Sequence, residues 1–379
     1  MIPYARQLIS EEDIDAVTEV LKSDWLTTGP KVEEFETALS VYSGAQYAVS
    51  FSSGTAALHA SMAILNISSG DEVIVPPITF VATANCILYQ GATPVFTDVG
   101  SGTLLIDPEQ VRKNISPRTK AIIAVDYAGQ PCDYVELRKI CDEHDLILIA
   151  DACHSLGAEN NGVTVGKLAD ITVLSFHPVK HICTGEGGAL LLHNEQYAVK
   201  ARKFRNHGIN ADHHEREKMG TWEYDMESLG FNYRLTDIQC ALGISQLSRL
   251  PRWLKRRTEI ANYYTNAFID LEGVAALEKR EEVKHAYHLY VIRIDQTVTG
   301  IDRNQLYLKL RERGIGVNVH YKPVFNHGYY KKRFPGANTN CPVAIKVADD
   351  ILSIPIYPEI SEEQVNKVVY ELKSVVQKL

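Results

Sequence analysis

Along the first half of the chain, short apolar runs bounded by turn residues alternate with stretches whose apolar positions recur at helical spacing. The runs are Ala48–Phe51, Glu72–Val75, Pro94–Thr97, Ala121–Asp126, Leu146–Asp151, Ile171–Phe176 and Gly188–Leu192. Each has the length of a strand, and several are apolar throughout, as strands covered on both faces are. Between them, Thr55–Leu65, Thr79–Tyr89, Pro108–Asn114 and Tyr134–His144 read as helices. An earlier helix opens at Ser10, a cap followed by Glu11, Glu12 and Asp13, with Ile14, Val17, Val20 and Leu21 as its apolar stripe. Strands alternating with helices predict an α/β fold, a mostly parallel seven-stranded sheet flanked by helices. The pattern changes around Gln246–Arg252. Beyond it come a long helix Leu247–Phe268, a strand-like Tyr287–Ile294, a helix Asp302–Arg313, a strand Gly316–His320 and a C-terminal helix Ser361–Leu379. The expected division is a large domain, 1–248, and a smaller C-terminal α+β domain, 249–379. The polar stretch Asn210–Met226 reads as a mobile surface loop.

Composition narrows the partners. With 39 basic and 47 acidic residues the net charge is −8, which argues against general binding of nucleic acid, since phosphate neutralisation needs clustered Lys and Arg. No apolar run approaches the ~18 residues of a membrane helix. The start, Met1 to Arg6, lacks a signal-peptide core and reaches Glu11 quickly. The seven cysteines are scattered, odd in number and without a C-x-x-C, which suggests reduced thiols in a cytoplasmic protein. Cys183, close to Lys180, reads as a packing residue. His177 and His181 are four apart without the glutamate of a zinc motif, so no metal site is expected.

Candidate chemistry gathers where the strands end, which is where ligands sit in such sheets. Lys180 closes Ser175-Phe176-His177-Pro178-Val179-Lys180, among apolar residues and glycines rather than on a charged face. Asp151 ends an apolar strand. A lysine that can form a Schiff base, with a carboxylate that keeps a pyridine nitrogen protonated, is the minimal kit for pyridoxal phosphate. Each residue has a plainer reading: Lys180 as a surface lysine, Asp151 as a helix cap. Gly54-Thr55 opens a helix whose N–H groups, with the hydroxyls of Ser52, Ser53 and Thr55, suit a phosphate, although many helices begin with a hydroxyl cap alone. Phe80 reads either as a ring laid against the pyridine or as core packing. His154 reads as a partner for the cofactor's ring hydroxyl or as a satisfied polar residue. Ser175 could add a hydroxyl to the phosphate. Gly185 to Gly188 fail the dinucleotide pattern, because a strand follows them rather than a helix.

Six ordered segments carry a resemblance across nearly the whole chain: Trp25 to Pro30, Ser53 to Leu58, Thr79 to Asn85, Asp151 to His154, Ser175 to Gly188 and Gly230 to Leu235. Together they resemble the DegT/DnrJ/EryC1/StrS sugar aminotransferases, which are aspartate aminotransferase-like, fold-type I pyridoxal phosphate enzymes. The resemblance implies that Lys180 is joined to the cofactor, Asp151 pairs with its pyridine nitrogen and Phe80 stacks on its ring. It implies that Gly54, Thr55 and Ser175 hold the phosphate. It further implies a homodimer with shared sites, Asn232 reaching the neighbouring subunit's phosphate. His154 stands where the family often has glutamine. Lys180 is retained, whereas a dehydratase branch has histidine there. The segments Val125 to Gly129, Ser175 to Lys180 and Val319 to Pro323 resemble the branch that serves pseudaminic acid synthesis. Those enzymes move the amino group of glutamate to C4 of a UDP-linked 4-keto-6-deoxy-N-acetylhexosamine. On that likeness Tyr4, Asp24, Trp25, Leu26, Thr27, His320, Tyr321, Lys322 and Pro323 would contact the nucleotide sugar. Two alternatives stay open: a transaminase for another keto sugar, such as a GDP-linked one of perosamine type, and a non-catalytic regulator that binds pyridoxal phosphate.

Overall fold

One strand of the central sheet runs against the other six, and it is the strand that follows the lysine loop. In the computed structural model, which describes residues 1–211, 216–218 and 220–377, strands β1 (Tyr47–Phe51), β2 (Glu72–Val75), β3 (Thr93–Phe96), β4 (Thr119–Val125) and β5 (Ile147–Asp151) come first. A small hairpin, β6 (Glu159–Asn160) and β7 (Val163–Thr164), precedes β8 (Ile171–Ser175) and β9 (Gly188–Leu192). The sheet has the order β1-β9-β8-β5-β4-β2-β3. Its β2, β3, β4, β5 and β8 pair in parallel, while β9 lies antiparallel to both β8 and β1. A parallel return from β8 would need a crossover. The chain instead turns back on itself, Phe176 N–H donating to Gly187 O at 2.8 Å. Residues 176–187 therefore form a wide loop at the sheet edge where the parallel strands end, and Lys180 sits on it.

Burial follows the sequence pattern. All four residues of β2 are buried, and the interiors of β4 and β5 are covered on both faces. The helices Gly54–Ile64 and Val81–Tyr89 pack against one another. The helix Pro30–Ser43 escaped the periodicity, because only Phe35 and Leu39 give it large, fully buried apolar positions. Its local marks are Pro30 in the first turn and Gly44 in the left-handed conformation that ends it. Asp237 caps its start, accepting from Gly29 N–H (2.7 Å) and Lys31 N–H (2.9 Å).

The long helix begins ten residues before the expected Leu247 and spans Asp237–Phe268. Thr236 and Gln239 form its capping box, each side chain answering the other's backbone N–H, at 3.3 and 3.1 Å. Gly243 weakens the apolar stripe ahead of Pro251, which hid that start. The helix runs unbroken through residues 248 and 249. Beyond it a second sheet has the order β10-β12-β13, with β10 (Val274–Ala276), β12 (Tyr290–Ile294) and β13 (Ile351–Ile354). The two-residue β11 (Val283–Lys284) instead joins β6 of the hairpin. Gly316–His320 is not a strand: only Asn318 pairs, in an isolated bridge to Ser353. Helices Arg303–Glu312 and Glu362–Val376 complete this part. The amino terminus belongs to it too, since Gly316 N–H donates to Ile2 O (2.7 Å) and Ile356 N–H to Tyr4 O (3.1 Å). Of the expected loop 210–226, residues 212–215 and 219 lie outside the described residues, and Met226 bridges back to Ile209. Among the described residues no helix is long and apolar enough to cross a membrane.

Candidate active site

Asp151 leaves β5 at the sheet edge and is 5% exposed. A carboxylate at that depth needs donors. It has the Thr83 hydroxyl at 2.7 Å and the Cys153 N–H at 3.3 Å, and Thr83 is in turn bonded to the Thr79 hydroxyl at 2.8 Å. Asp126, just past the end of the neighbouring β4, is likewise buried but is enclosed by Cys132 N–H, Tyr134 and Ser155, at 2.9, 2.8 and 2.6 Å. It holds local structure and stays off the cavity wall.

The cavity has a volume of about 580 Å³. Lys180 is half-buried on its wall, and desolvation pushes its pKa below the ordinary lysine value, opposed by Cys153 and Asp151. Gly54 and Thr55 begin the helix Gly54–Ile64, and the Ser53 hydroxyl caps it by accepting from Ala56 N–H at 3.0 Å. The first turn leaves the Gly54 and Thr55 N–H groups without an intrahelical acceptor. A Cβ on Gly54 would lie 2.9 Å from Ser175 Cβ, and one on Gly188 would lie 2.6 Å from Gly54 N. Two glycines thus keep this helix end, the Ser175 hydroxyl and the lysine loop together, a cradle that an added side chain would fill.

Phe80 precedes the helix Val81–Tyr89, and its ring is 57% exposed on the cavity wall. It is a surface for a flat ligand rather than part of the core. His154 is buried, with Nε2 3.1 Å from the Tyr321 hydroxyl and Nδ1 without a partner among the described residues. Burial, then the charge of Lys180, holds its pKa well below the ordinary value, so the imidazole is neutral. A buried carboxylate, an amine with lowered pKa, a phosphate-sized helix end, an open aromatic face and an orphaned imidazole nitrogen fit pyridoxal phosphate.

The opposite wall comes from distant segments: Tyr4, His288, Asn318, His320 and Tyr321. Among the residues expected at the site, Gly54, Thr55, Phe80, Asp151, His154, Ser175, Lys180, Tyr4, His320 and Tyr321 line this one cavity. Asp24, Trp25, Leu26 and Thr27 do not. They are exposed on a loop tied to the long helix, Asp237 N–H donating to Leu26 O at 3.1 Å. Asn232 is exposed and bridged to Asn206, Lys322 is exposed, and Pro323 is buried beside the Val324 N–H that bonds Pro77 O at 2.9 Å. None of these lines the cavity of this chain. Thr83, Cys153, His288 and Asn318 do line it and were not expected at the site from the sequence, where His288, with His285, was weighed only as a metal pair and set aside. Cys153 is the thiol on the wall, while Cys183 is buried elsewhere. A larger cleft, about 680 Å³ beside Tyr42, Leu156 and Leu254, is mainly apolar, and its Lys284 and Glu159 are engaged with each other at 2.6 Å.

A model of the DegT/DnrJ/EryC1/StrS aminotransferase family matches residues 7–373. The chain belongs to this family. The spore coat polysaccharide biosynthesis protein SpsC of Bacillus subtilis is 38% identical to it, over 99% of this chain and 97% of its own. Two solved structures of similar shape are those of the sugar aminotransferase Spr1654 of Streptococcus pneumoniae and of PseC of Helicobacter pylori. Spr1654, solved in PMP and PLP forms, is 33% identical in its PMP form, with a TM-score of 0.94 over the full length of both chains. PseC, an aminotransferase of pseudaminic acid biosynthesis, is 34% identical, with a TM-score of 0.92 and full coverage of both chains. The family's aminotransferase fold is the mostly parallel, helix-flanked sheet described above.

Proposed function

We propose that this chain is a cytoplasmic, homodimeric nucleotide-sugar aminotransferase. It would take the amino group of glutamate and place it on C4 of a UDP-linked 4-keto-6-deoxy-N-acetylhexosamine. The observation that carries the reading is the meeting of Lys180, Asp151 and the Gly54 helix end around one cavity. Bound pyridoxal phosphate supplies an aldehyde that accepts the amino group and a ring that takes up electron density. Asp151, held by Thr83 and Cys153, keeps a proton on the pyridine nitrogen. The Gly54 and Thr55 N–H groups and the Ser175 hydroxyl bind the phosphate, Phe80 covers the ring, and His154 faces its hydroxyl. Lys180 holds the cofactor between turnovers. Once displaced by substrate, its amine moves the proton at the reacting carbon, which a lowered pKa favours. Residues 1–248 supply this cofactor wall, and Tyr4 with 249–379 supply the sugar wall. The exposure of Asn232 and of Asp24 to Thr27 fits a second copy: Asn232 of the partner subunit would reach the phosphate, and the 24–27 loop the sugar. Lys322 is a cation suited to the pyrophosphate.

The likeness to PseC supports the UDP-linked sugar, while the comparable likeness to SpsC keeps other keto-sugar nucleotides, including a GDP-linked one, as the second reading. Purified protein loaded with pyridoxal phosphate should lose the absorbance of its lysine-linked cofactor on adding glutamate, then aminate one of a panel of UDP-, GDP- and dTDP-linked 4-keto sugars, followed by mass spectrometry. Amination of the GDP or dTDP sugar alone would replace the UDP reading. No spectral change with glutamate would make the protein a non-catalytic binder.

A further inference from the structure

Three polar side chains, Asn318 and His320 on the sugar wall and the buried Ser353 behind it, form a relay whose direction can be read. Asn318 and Ser353 face each other across their bridge, Asn318 N–H donating to Ser353 O (3.1 Å) and Ser353 N–H to Asn318 O (2.8 Å). Asn318 Oδ1 accepts from Val319 N–H at 2.9 Å. A backbone N–H only donates, so this contact identifies the oxygen end of the carboxamide and leaves Nδ2 facing His320 Nε2, 3.3 Å away. Nδ2 only donates in turn. His320 Nε2 is therefore the acceptor, the ring proton sits on Nδ1, and Nδ1 donates to Ser353 Oγ at 2.8 Å. Both ring nitrogens of His320 are engaged by the protein, and its carbonyl accepts from the Tyr127 hydroxyl. Burial, with the charge of Lys180 added, pulls the His320 pKa down to about 3, so the ring stays neutral. His320 lines the cavity but has no free nitrogen to offer a ligand. Asn318 does: its carboxamide is half-buried on the same wall, and Nδ2 carries a second hydrogen.

We propose that Asn318 is a specificity-determining residue of the sugar half-reaction, donating from Nδ2 to an uncharged oxygen on the sugar, with His320 and Ser353 as the positioning residues behind it. This rests on the nucleotide-sugar reading above. The cluster is uncharged throughout, which suits a hydroxyl or acyl oxygen. The carboxylates of glutamate call for cationic partners instead. The two half-reactions separate the roles, because each can be followed alone by the cofactor's absorbance. In Asn318→Ala, kcat/KM for the keto-sugar nucleotide should fall about tenfold, mainly through KM, which is the scale of one lost hydrogen bond. The glutamate half-reaction should keep its wild-type rate, and this also shows that the variant folds. Ser353→Ala should give a smaller loss in the same direction, again in KM. Parallel loss in both half-reactions would make Asn318 a structural residue and overturn the proposal, as would no loss in either. Wild-type protein that reacts with glutamate but with no keto-sugar nucleotide would overturn the functional reading, and this inference with it.

Discussion

The two walls of the cavity are built on different plans. On the cofactor wall, Asp151, Ser175, Gly54 and Lys180 stand at strand ends, a helix start and the loop that reverses the chain, all anchored to one sheet. Each lies within a few residues of a regular element whose position the hydrogen-bond ladder sets. On the sugar wall, Tyr4, His288, Asn318 and Tyr321 come from segments more than 300 residues apart in sequence and meet through a few hydrogen bonds: Ile356 to Tyr4, Tyr321 to His154, and the pair between Asn318 and Ser353. Chemistry that tolerates little displacement is placed on the rigid frame, and recognition that must suit one sugar is placed on loops.

If that division holds, damage to the cofactor wall should stop both half-reactions and damage to the sugar wall only one. The largest effect is expected for Lys180→Ala, which should lower turnover by about 10³-fold or more, since attachment and proton transfer go together. It should also remove the borohydride-fixable adduct, read by mass spectrometry. Asp151→Asn should lower kcat by about 100-fold in both half-reactions. It has a sign in pH as well. Asp151 attracts the Lys180 ammonium and so raises its pKa; without that charge the pKa drops further, and the acid limb of cofactor attachment should move to lower pH. A limb that moves to higher pH would mean Asp151 does not act on Lys180. Gly54→Ala places a Cβ 2.9 Å from Ser175 and should weaken cofactor binding by about tenfold, or 1.4 kcal/mol, in a fluorescence titration. The smallest effect is expected for Tyr321→Phe, which removes the hydroxyl from His154 at a cost of about 1 kcal/mol. Because Tyr321 bridges the two walls, its loss should appear in both half-reactions. Loss confined to the sugar would move Tyr321 wholly to the second wall.

The same contrast separates what was legible in the residues from what was not. Lys180, Asp151 and Gly54 announce themselves because strand and helix periodicities say where elements end, and polar residues at those ends need a reason. The helix Pro30–Ser43 and the true start of the long helix at Asp237 were hidden because small residues and glycine blur the apolar stripe. Thr83, Cys153, His288 and Asn318 were hidden for another reason: nothing local distinguishes a threonine that reaches a carboxylate 68 positions away from one that faces solvent.

The order of strands and helices, the lysine on a loop after a strand and the carboxylate at the end of its neighbour were determined by the chain alone, because alternation of apolar and polar positions is a local code. Folding decided which side chains share a cavity, which of His320 and Asn318 keeps a free donor, and why Asn232 and Trp25 stay outside. Those outcomes depend on distances between segments remote in sequence, and distance is set by packing rather than by pattern.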